Sequence, residues 1–359
     1  MKIAIDASSA AVPQKTGVPR YIQRLIEHLE EIDDENEYII YYRLSRLKNR
    51  RYFYQPKKPT TKVRVFQEPL FTGRGIDVFH GPDARLPGIR GPRLVATLHD
   101  VFSLISDEFA GEKFRSTKIT RYRDIAERAD LIICVSESTR RDFARFFPEA
   151  EPKTCVIYEG VDEWFCPRPA AEAGQVKRKY GIAHDYILYV GDLCRRKNIL
   201  RMCGAFRQAR EQVGGNLQFV LVGKLAYGND EIMTYLRENH CEQHILLTGY
   251  VPDEDLPALY SGARLFLFTT LYEGFGLPIL EALACGTPVV TSNLSSAMEV
   301  ASEATCKVNP ESEQDITKAI VDILSRADDC HTACTGRTIS SHYSWKTTAQ
   351  QILTRCYSA

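Results

Sequence analysis

The sequence predicts an α/β protein built from two doubly wound, parallel-sheet, Rossmann-like domains, and three observations carry that expectation. Short apolar runs alternate with longer segments whose apolar residues recur at helical spacing, as in Tyr21, Ile22, Leu25, Ile26 and Leu29. Several of the short runs, such as Leu131–Val135 and Tyr186–Val190, are hydrophobic without alternation, the pattern of parallel strands covered on both faces. The alternation breaks once, from Glu163 to Gly174, where Pro167 and Pro169 stand in a stretch of weak periodicity that reads as a linker.

Taken in order, the strands expected in the first half are Lys2–Ile5, Tyr38–Tyr42, Val63–Phe66, Asp77–Phe79, Leu94–Leu98, Leu131–Val135 and Cys155–Tyr158. A second series comes at Tyr186–Val190, Phe219–Val222, Ile245–Leu247, Leu265–Phe268 and Pro288–Thr291. The chain has 359 residues, room for two ordinary domains of ~100–200 residues each. The expected division is 1–165 for an N-terminal domain and 166–340 for a C-terminal one, with 341–359 returning to the first through a helix at Trp345–Cys356. The two domains are expected to face each other across a cleft.

Composition narrows the function without naming it. Lys+Arg and Asp+Glu are both 46, so the whole-chain balance gives no signal for a nucleic-acid or acidic partner. Apolar runs are far shorter than the ~20 residues that span a bilayer, and the N-terminus lacks a signal-peptide core. Eleven cysteines, mostly isolated, read as reduced thiols in a cytoplasmic protein.

Ligands of open parallel sheets lie beyond the carboxyl ends of the strands. The residues just past each expected strand are therefore informative: His99-Asp100 after Leu94–Leu98, Gly191-Asp192 after Tyr186–Val190, Gly223-Lys224 after Phe219–Val222, and Thr269 to Gly274 after Leu265–Phe268. Turn and cap residues account for many of these, but poorly for His99, Lys224 and Glu273. The strongest local signal is Glu273-Gly274-Phe275-Gly276-Leu277-Pro278-Ile279-Leu280-Glu281. Pro278 suits the first turn of a helix that runs towards Gly286, with Glu281 also in that first turn. Free amides and the dipole at such a start form a site for polar or anionic oxygens, and carboxylates suit paired sugar hydroxyls. Arg195-Arg196-Lys197 crowd cations at another helix start, which argues for a phosphate or diphosphate ligand. Lys15-Thr16-Gly17 leads into the first helix, where the Gly17 amide can meet the same anion.

These residues resemble the retaining nucleotide-sugar glycosyltransferases of family four, which have the GT-B fold, and the resemblance covers nearly the whole chain. Its most specific element is the pair of acids Glu273 and Glu281. Gly249-Tyr250-Val251-Pro252, Leu256 to Tyr260 and Glu281 to Val290 resemble the family's donor half, and Val156 to Asp162 its interdomain segment. That segment usually has Asn where this chain has Glu159, and many members have Arg where this chain has Asp192. The resemblance implies that Glu281 binds the ribose hydroxyls and Glu273 those of the transferred sugar. It implies sugar and phosphate contacts from the amides of Phe275, Gly276 and Leu277, diphosphate contacts from Lys197 and Arg196, and a backbone contact to the base at Val251. His99 matches the histidine at the reaction centre.

The expected reaction is transfer of a hexose, first mannose from GDP-mannose, with retention, to a glycan or lipid-linked glycan. No metal or cofactor is expected beyond the nucleotide-sugar co-substrate, since Arg196, Lys197 and helix amides can hold the leaving diphosphate. The alternatives are a same-fold sugar-phosphate synthase and a non-catalytic sugar-binding scaffold. His240 to His244 and Cys330-His331 with Cys334 make poor metal sites by spacing. From Arg43 to Arg64 the chain carries nine basic residues and no acid, with Tyr41 and Tyr42 just before them and Tyr52, Phe53 and Tyr54 interleaved. That pattern suggests peripheral docking on an anionic cytoplasmic membrane face.

Overall fold

The computed structural model describes residues 1–239, 243–300, 304–325 and 330–358, apart from the side chains of 69 and 330–334. The chain divides into two units, one made of Met1–Ile105, Glu112–Gly160 and Tyr343–Ala359, the other of Ser106–Gly111 and Val161–His342. The division falls between Gly160 and Val161, ahead of the 165/166 boundary read from the linker, and part of that linker is helical, in Ala170–Lys179.

The first unit holds seven parallel strands: β1 (Lys2–Asp6), β2 (Glu37–Arg43), β3 (Thr61–Phe66), β4 (Val78–Gly81), β5 (Arg93–Leu98), β6 (Leu131–Cys134) and β7 (Thr154–Val156). Their spatial order is β3-β2-β1-β4-β5-β6-β7. The second unit holds six, β8 (Tyr186–Val190), β9 (Gln218–Val222), β10 (Ile245–Gly249), β11 (Leu265–Phe268), β12 (Val289–Ser292) and β13 (Thr305–Val308), in the order β10-β9-β8-β11-β12-β13. Both are doubly wound sheets with a reversal of order, between β1 and β4 and between β8 and β11, which is where such folds open a ligand crevice. Every expected strand overlaps an observed one. β13 was not expected: it is an edge strand whose Thr-Cys-Lys-Val lacks the apolar run of a buried strand.

Helices cover both faces because the strands are apolar on both; Ile3, Ile5, Leu98, Ile132, Leu188, Val220 and Phe266 are all fully buried. The helix Val18–Ile32 buries the face that carries Tyr21, Ile22, Leu25, Ile26 and Leu29. Against it lies the C-terminal helix Trp345–Ile352, with the Tyr21 and Trp345 rings edge to face at 5.9 Å between centroids. The π-helical turn Leu353–Tyr357 then places the Tyr357 hydroxyl 2.6 Å from His80 Nδ1 in β4, while His80 Nε2 lies 2.7 Å from Thr97 Oγ1. Burial, reinforced by the His99 charge, pushes the His80 pKa down to about 3, so that ring is neutral. No helix among the described residues is long and apolar enough to cross a membrane.

Candidate functional site

In the second unit the residues singled out by sequence gather at the carboxyl ends of β8 to β11. Gly191 and Gly223 end β8 and β9 and touch: a Cβ on Gly223, at φ 145°, would lie 1.9 Å from the Gly191 carbonyl oxygen, so no side chain fits. After β8, Arg195–Lys197 make a single 3-10 turn, and Asn198 comes next in the left-handed region at φ 61° as the N-cap of the helix Ile199–Val213. Asn198 Nδ2 donates to the carbonyl oxygens of Thr269 (2.8 Å) and Pro310 (2.7 Å), which ties the basic turn to the end of β11.

That tie brings the basic turn against Glu273. Lys197 Nζ forms a short ion pair with Glu273 Oε1, and Arg196 Nη1 lies 3.3 Å from the same oxygen and 2.6 Å from the Tyr272 carbonyl. Arg195 turns away to an exposed pair with Glu231. Lys197 also stands over the Phe268 ring, 5.1 Å from its centroid. Burial would raise the Glu273 carboxyl, but the charges of Lys197 and Arg196 outweigh it and hold the pKa below the usual carboxylate range. Two cations on one buried carboxylate leave this trio one positive charge in excess. A diphosphate would neutralise that excess.

Behind Glu273 the loop is braced from a neighbouring turn. Its amide donates to Ser295 Oγ (3.1 Å), and Ser296 Oγ donates to the carbonyls of Glu273 (3.0 Å) and Phe275 (2.8 Å). Gly276, at φ 107°, then caps the helix Leu277–Ala284, with Pro278 at its second position. Glu281 is not in the first turn, contrary to expectation: it is the fifth residue of that helix. Dipole complementation therefore does not explain it. It is buried, and the Tyr260 hydroxyl donates to Glu281 Oε2 at 2.9 Å, which fixes the carboxylate's orientation. Val251 lies just past β10, buried, after Gly249 at φ 70°.

In the first unit, His99 leaves the end of β5. Its Nδ1 lies 2.9 Å from Glu159 Oε1, its Nε2 lies 2.9 Å from the Pro82 carbonyl, and the Tyr21 ring meets it edge-on at 4.7 Å. Gly17, at φ 54°, caps the helix Val18–Ile32, with open space where a Cβ would point. His99 and Gly17 thus belong to one unit, and Arg196, Lys197, Val251, Glu273, Phe275, Gly276, Leu277 and Glu281 to the other.

Sequence reasoning gave no role to Asn198, Tyr260 or the serine pair 295–296. The cue for Asn198 was its place directly after the basic turn, and Tyr260 closes the segment Leu256 to Tyr260 that resembles the family's donor half. No cue marked the serines, whose partners are far along the chain. The basic–aromatic segment also differs from expectation. Tyr41, Tyr42, Phe53 and Tyr54 are buried, with Tyr42 and Phe53 stacked at 3.7 Å. Arg43 pairs with Asp6 and Glu68, Lys58 with Asp34, and Lys62 with Glu37, so acids distant in sequence neutralise part of the run. Leu44, Arg46, Leu47, Lys48, Arg50 and Arg51 remain exposed on the 3-10 segment Leu44–Tyr52. The zinc-like spacing at His240 to His244 lies partly outside the described residues, as do the side chains of Cys330, His331 and Cys334.

The sequence and the fold are similar to those of known proteins. Residues 175–333 match the family "Glycosyl transferases group 1", and residues 16–165 match "Glycosyltransferase Family 4". The chain is 32% identical over 280 residues to the O-antigen chain mannosyltransferase B of Escherichia coli, covering 77% of this chain and 73% of that protein. Among solved structures it is similar to Anabaena HepE, determined with UDP and glucose, at TM-score 0.76 and 19% identity over 100% of both chains. It is also similar to the sucrose-phosphate synthase of Thermosynechococcus elongatus, at TM-score 0.75 and 20% identity over 98% and 97% of the chains.

Proposed function

The chain belongs to the glycosyltransferases of group 1 and family 4, and from that premise we propose that it transfers mannose from GDP-mannose, with retention, to a glycan or lipid-linked glycan acceptor. The observation that carries the reading is the buried Glu273 carboxylate gripped by Lys197 and Arg196 where the loop enters the helix Leu277–Ala284. In this reading the C1–O bond to the diphosphate breaks while the acceptor oxygen bonds C1 on the same face, and the acceptor's proton passes to the departing phosphate. Charge developing on the diphosphate meets Lys197, Arg196 and the amides of Phe275, Gly276 and Leu277, which supply the stabilisation a metal would otherwise give. Glu281, aimed by Tyr260, takes the ribose hydroxyls, and Glu273 those of the sugar. The mannosyl assignment rests on the Escherichia coli relative.

Calorimetric titration with GDP-mannose, UDP-glucose, UDP-GlcNAc and dTDP-rhamnose, without added metal, tests the donor. Saturable binding of GDP-mannose is expected, weakened on the order of 10- to 100-fold in Glu281→Ala, as for a lost charged hydrogen bond of ~1.5–3 kcal/mol. Tighter binding of another donor would replace mannose in the reading. Similarity to a sucrose-phosphate synthase keeps a small phosphorylated acceptor as the second reading. Turnover with free sugar phosphates and none with glycans would favour it.

A lipid-linked acceptor would lie at a membrane face, and the exposed Leu44, Arg46, Leu47, Lys48, Arg50 and Arg51 suit one. Flotation with phosphatidylglycerol-rich vesicles at low salt is expected to carry the protein upward. Charge reversal of the four basic residues should abolish this, since each contributes ~1 kcal/mol. Flotation unchanged by the reversal would sink the docking proposal.

A further inference from the structure

Both ring nitrogens of His99 are committed to acceptors within its own unit. Nε2 lies 2.9 Å from the Pro82 carbonyl oxygen, and a peptide carbonyl only accepts, so Nε2 carries a proton. Nδ1 lies 2.9 Å from Glu159 Oε1, and an ionised carboxylate there is satisfied only if Nδ1 carries a proton too. The two side chains are 13% and 7% exposed, so little water competes for either.

We propose that Glu159 is a positioning residue that holds His99 as a doubly protonated cation at the end of β5, so that the ring serves the transfer through its charge and has no lone pair with which to act as a base. The inference rests on the reading of His99 as a residue of the reaction centre. A fixed cation suits a step in which negative charge grows on a departing diphosphate and the acceptor's proton goes to that phosphate.

The loop that carries Glu159 is pinned on each side. The Ile157 amide donates to the Cys134 carbonyl (3.1 Å), and Thr348 Oγ1 donates to the Tyr158 carbonyl (2.8 Å). Gly160 packs so closely against the start of the C-terminal helix that a Cβ would lie 2.1 Å from the Trp345 nitrogen. The carboxylate therefore reaches past the end of β6 from a backbone held by hydrogen bonds at Ile157 and Tyr158.

The groups facing His99 are Glu159 after β7, Asp83 after β4, the neutral His80 in β4, and Tyr21 from the helix Val18–Ile32. Asp83 is shared with Ser9 Oγ (2.6 Å) and Lys118 Nζ (3.7 Å), so Glu159 is the carboxylate given to the ring alone among these. Burial opposes the charged ring. The hydrogen bond and charge of Glu159, helped by the Pro82 carbonyl and Asp83, outweigh it and raise the pKa above the ordinary 6.5. With a raised folded value, the stability this cation contributes is fully present below the unfolded value and is lost as pH rises through the folded one.

The test is an NMR titration of the histidine ring nitrogens in the full chain, with His99→Gln to assign the signal, for the natural protein and for Glu159→Gln. The expected result is a doubly protonated His99 that persists above pH 6.5 in the natural protein and titrates at lower pH in Glu159→Gln. Alongside it, kcat in Glu159→Gln should fall on the order of 10- to 100-fold at pH 8, recover in part as pH is lowered, and leave donor KM within about threefold. An ordinary His99 titration, or one unmoved by Glu159→Gln, overturns the inference while leaving the glycosyltransferase reading intact. A moved titration with turnover unchanged at every pH overturns it differently, by removing His99 from the reaction centre.

Discussion

Glu273→Gln is expected to lower kcat on the order of 100- to 1,000-fold, the loss typical of removing one preorganised electrostatic group from a reacting centre. The substitution keeps the shape of the side chain and removes its charge, so Lys197 and Arg196 face a neutral amide in a place that water scarcely reaches. Breaking a buried pair by neutralising one partner costs about 3–5 kcal/mol, and denaturant unfolding of the variant should show a loss of that size. A nucleoside diphosphate should restore part of it, because the ligand brings the missing negative charge. At 100 times its dissociation constant a ligand stabilises by about 2.7 kcal/mol. Turnover within threefold of the natural protein would take Glu273 out of the reaction. The same pair should contribute to the acid limb of stability. With its folded pKa depressed, the carboxylate contributes fully above its unfolded value near 4.5, and that contribution is lost as pH falls through the folded value.

Gly160→Ala should be strongly damaging to the first unit. The added methyl would lie 2.1 Å from the Trp345 nitrogen, 2.5 Å from the Ser344 carbonyl carbon and 2.7 Å from the Trp345 Cα, all backbone atoms that no rotamer change can clear. Relief requires either the 157–160 loop or the helix Trp345–Ile352 to move, at a cost of about 3 kcal/mol or more. The helix is expected to give way. Limited proteolysis should therefore cut near residue 343 in the variant under conditions that leave the natural protein whole. The Trp345 fluorescence should shift to the red as the ring leaves its place against Tyr21. A variant as stable and as resistant as the natural protein would mean that the close approach is relieved without undocking.

The fold was largely legible because its strands announce themselves by local chemistry. Runs such as Tyr186–Val190 are continuous and apolar, and the segments between them keep helical spacing. β13 escaped because an edge strand needs apolar residues on one face only, and Cys306-Lys307 gives no run. At the candidate site, the loop Glu273 to Glu281 and the basic turn stood out through glycines, proline and clustered charge, which are properties of neighbouring residues. The roles of Tyr260 and Ser296 were illegible because they lie in partners that only folding supplies, such as Glu281 and the Phe275 carbonyl. Glu159 was visible as an unusual residue, but its meaning depends on reaching His99 from a strand two places away in the sheet. Tyr41, Tyr42, Phe53 and Tyr54 misled for the converse reason. Aromatic residues interleaved with lysine and arginine look like a surface, yet their rings lie beneath it.

The return of residues 343–359 to the first unit has a consequence for biosynthesis. A ribosome releases the strands β1 to β7 early, but Trp345 and Tyr357, which close the space beside Tyr21 and His80, emerge only after the whole second unit has been made. At ~5–20 residues per second, the intervening stretch keeps the nascent first unit waiting on the order of ten seconds or more with apolar surface uncovered. The second unit, continuous apart from 106–111, is under no such delay. The half made last should therefore be the first to reach its mature state, and the half made first should be the one that engages chaperones while translation continues.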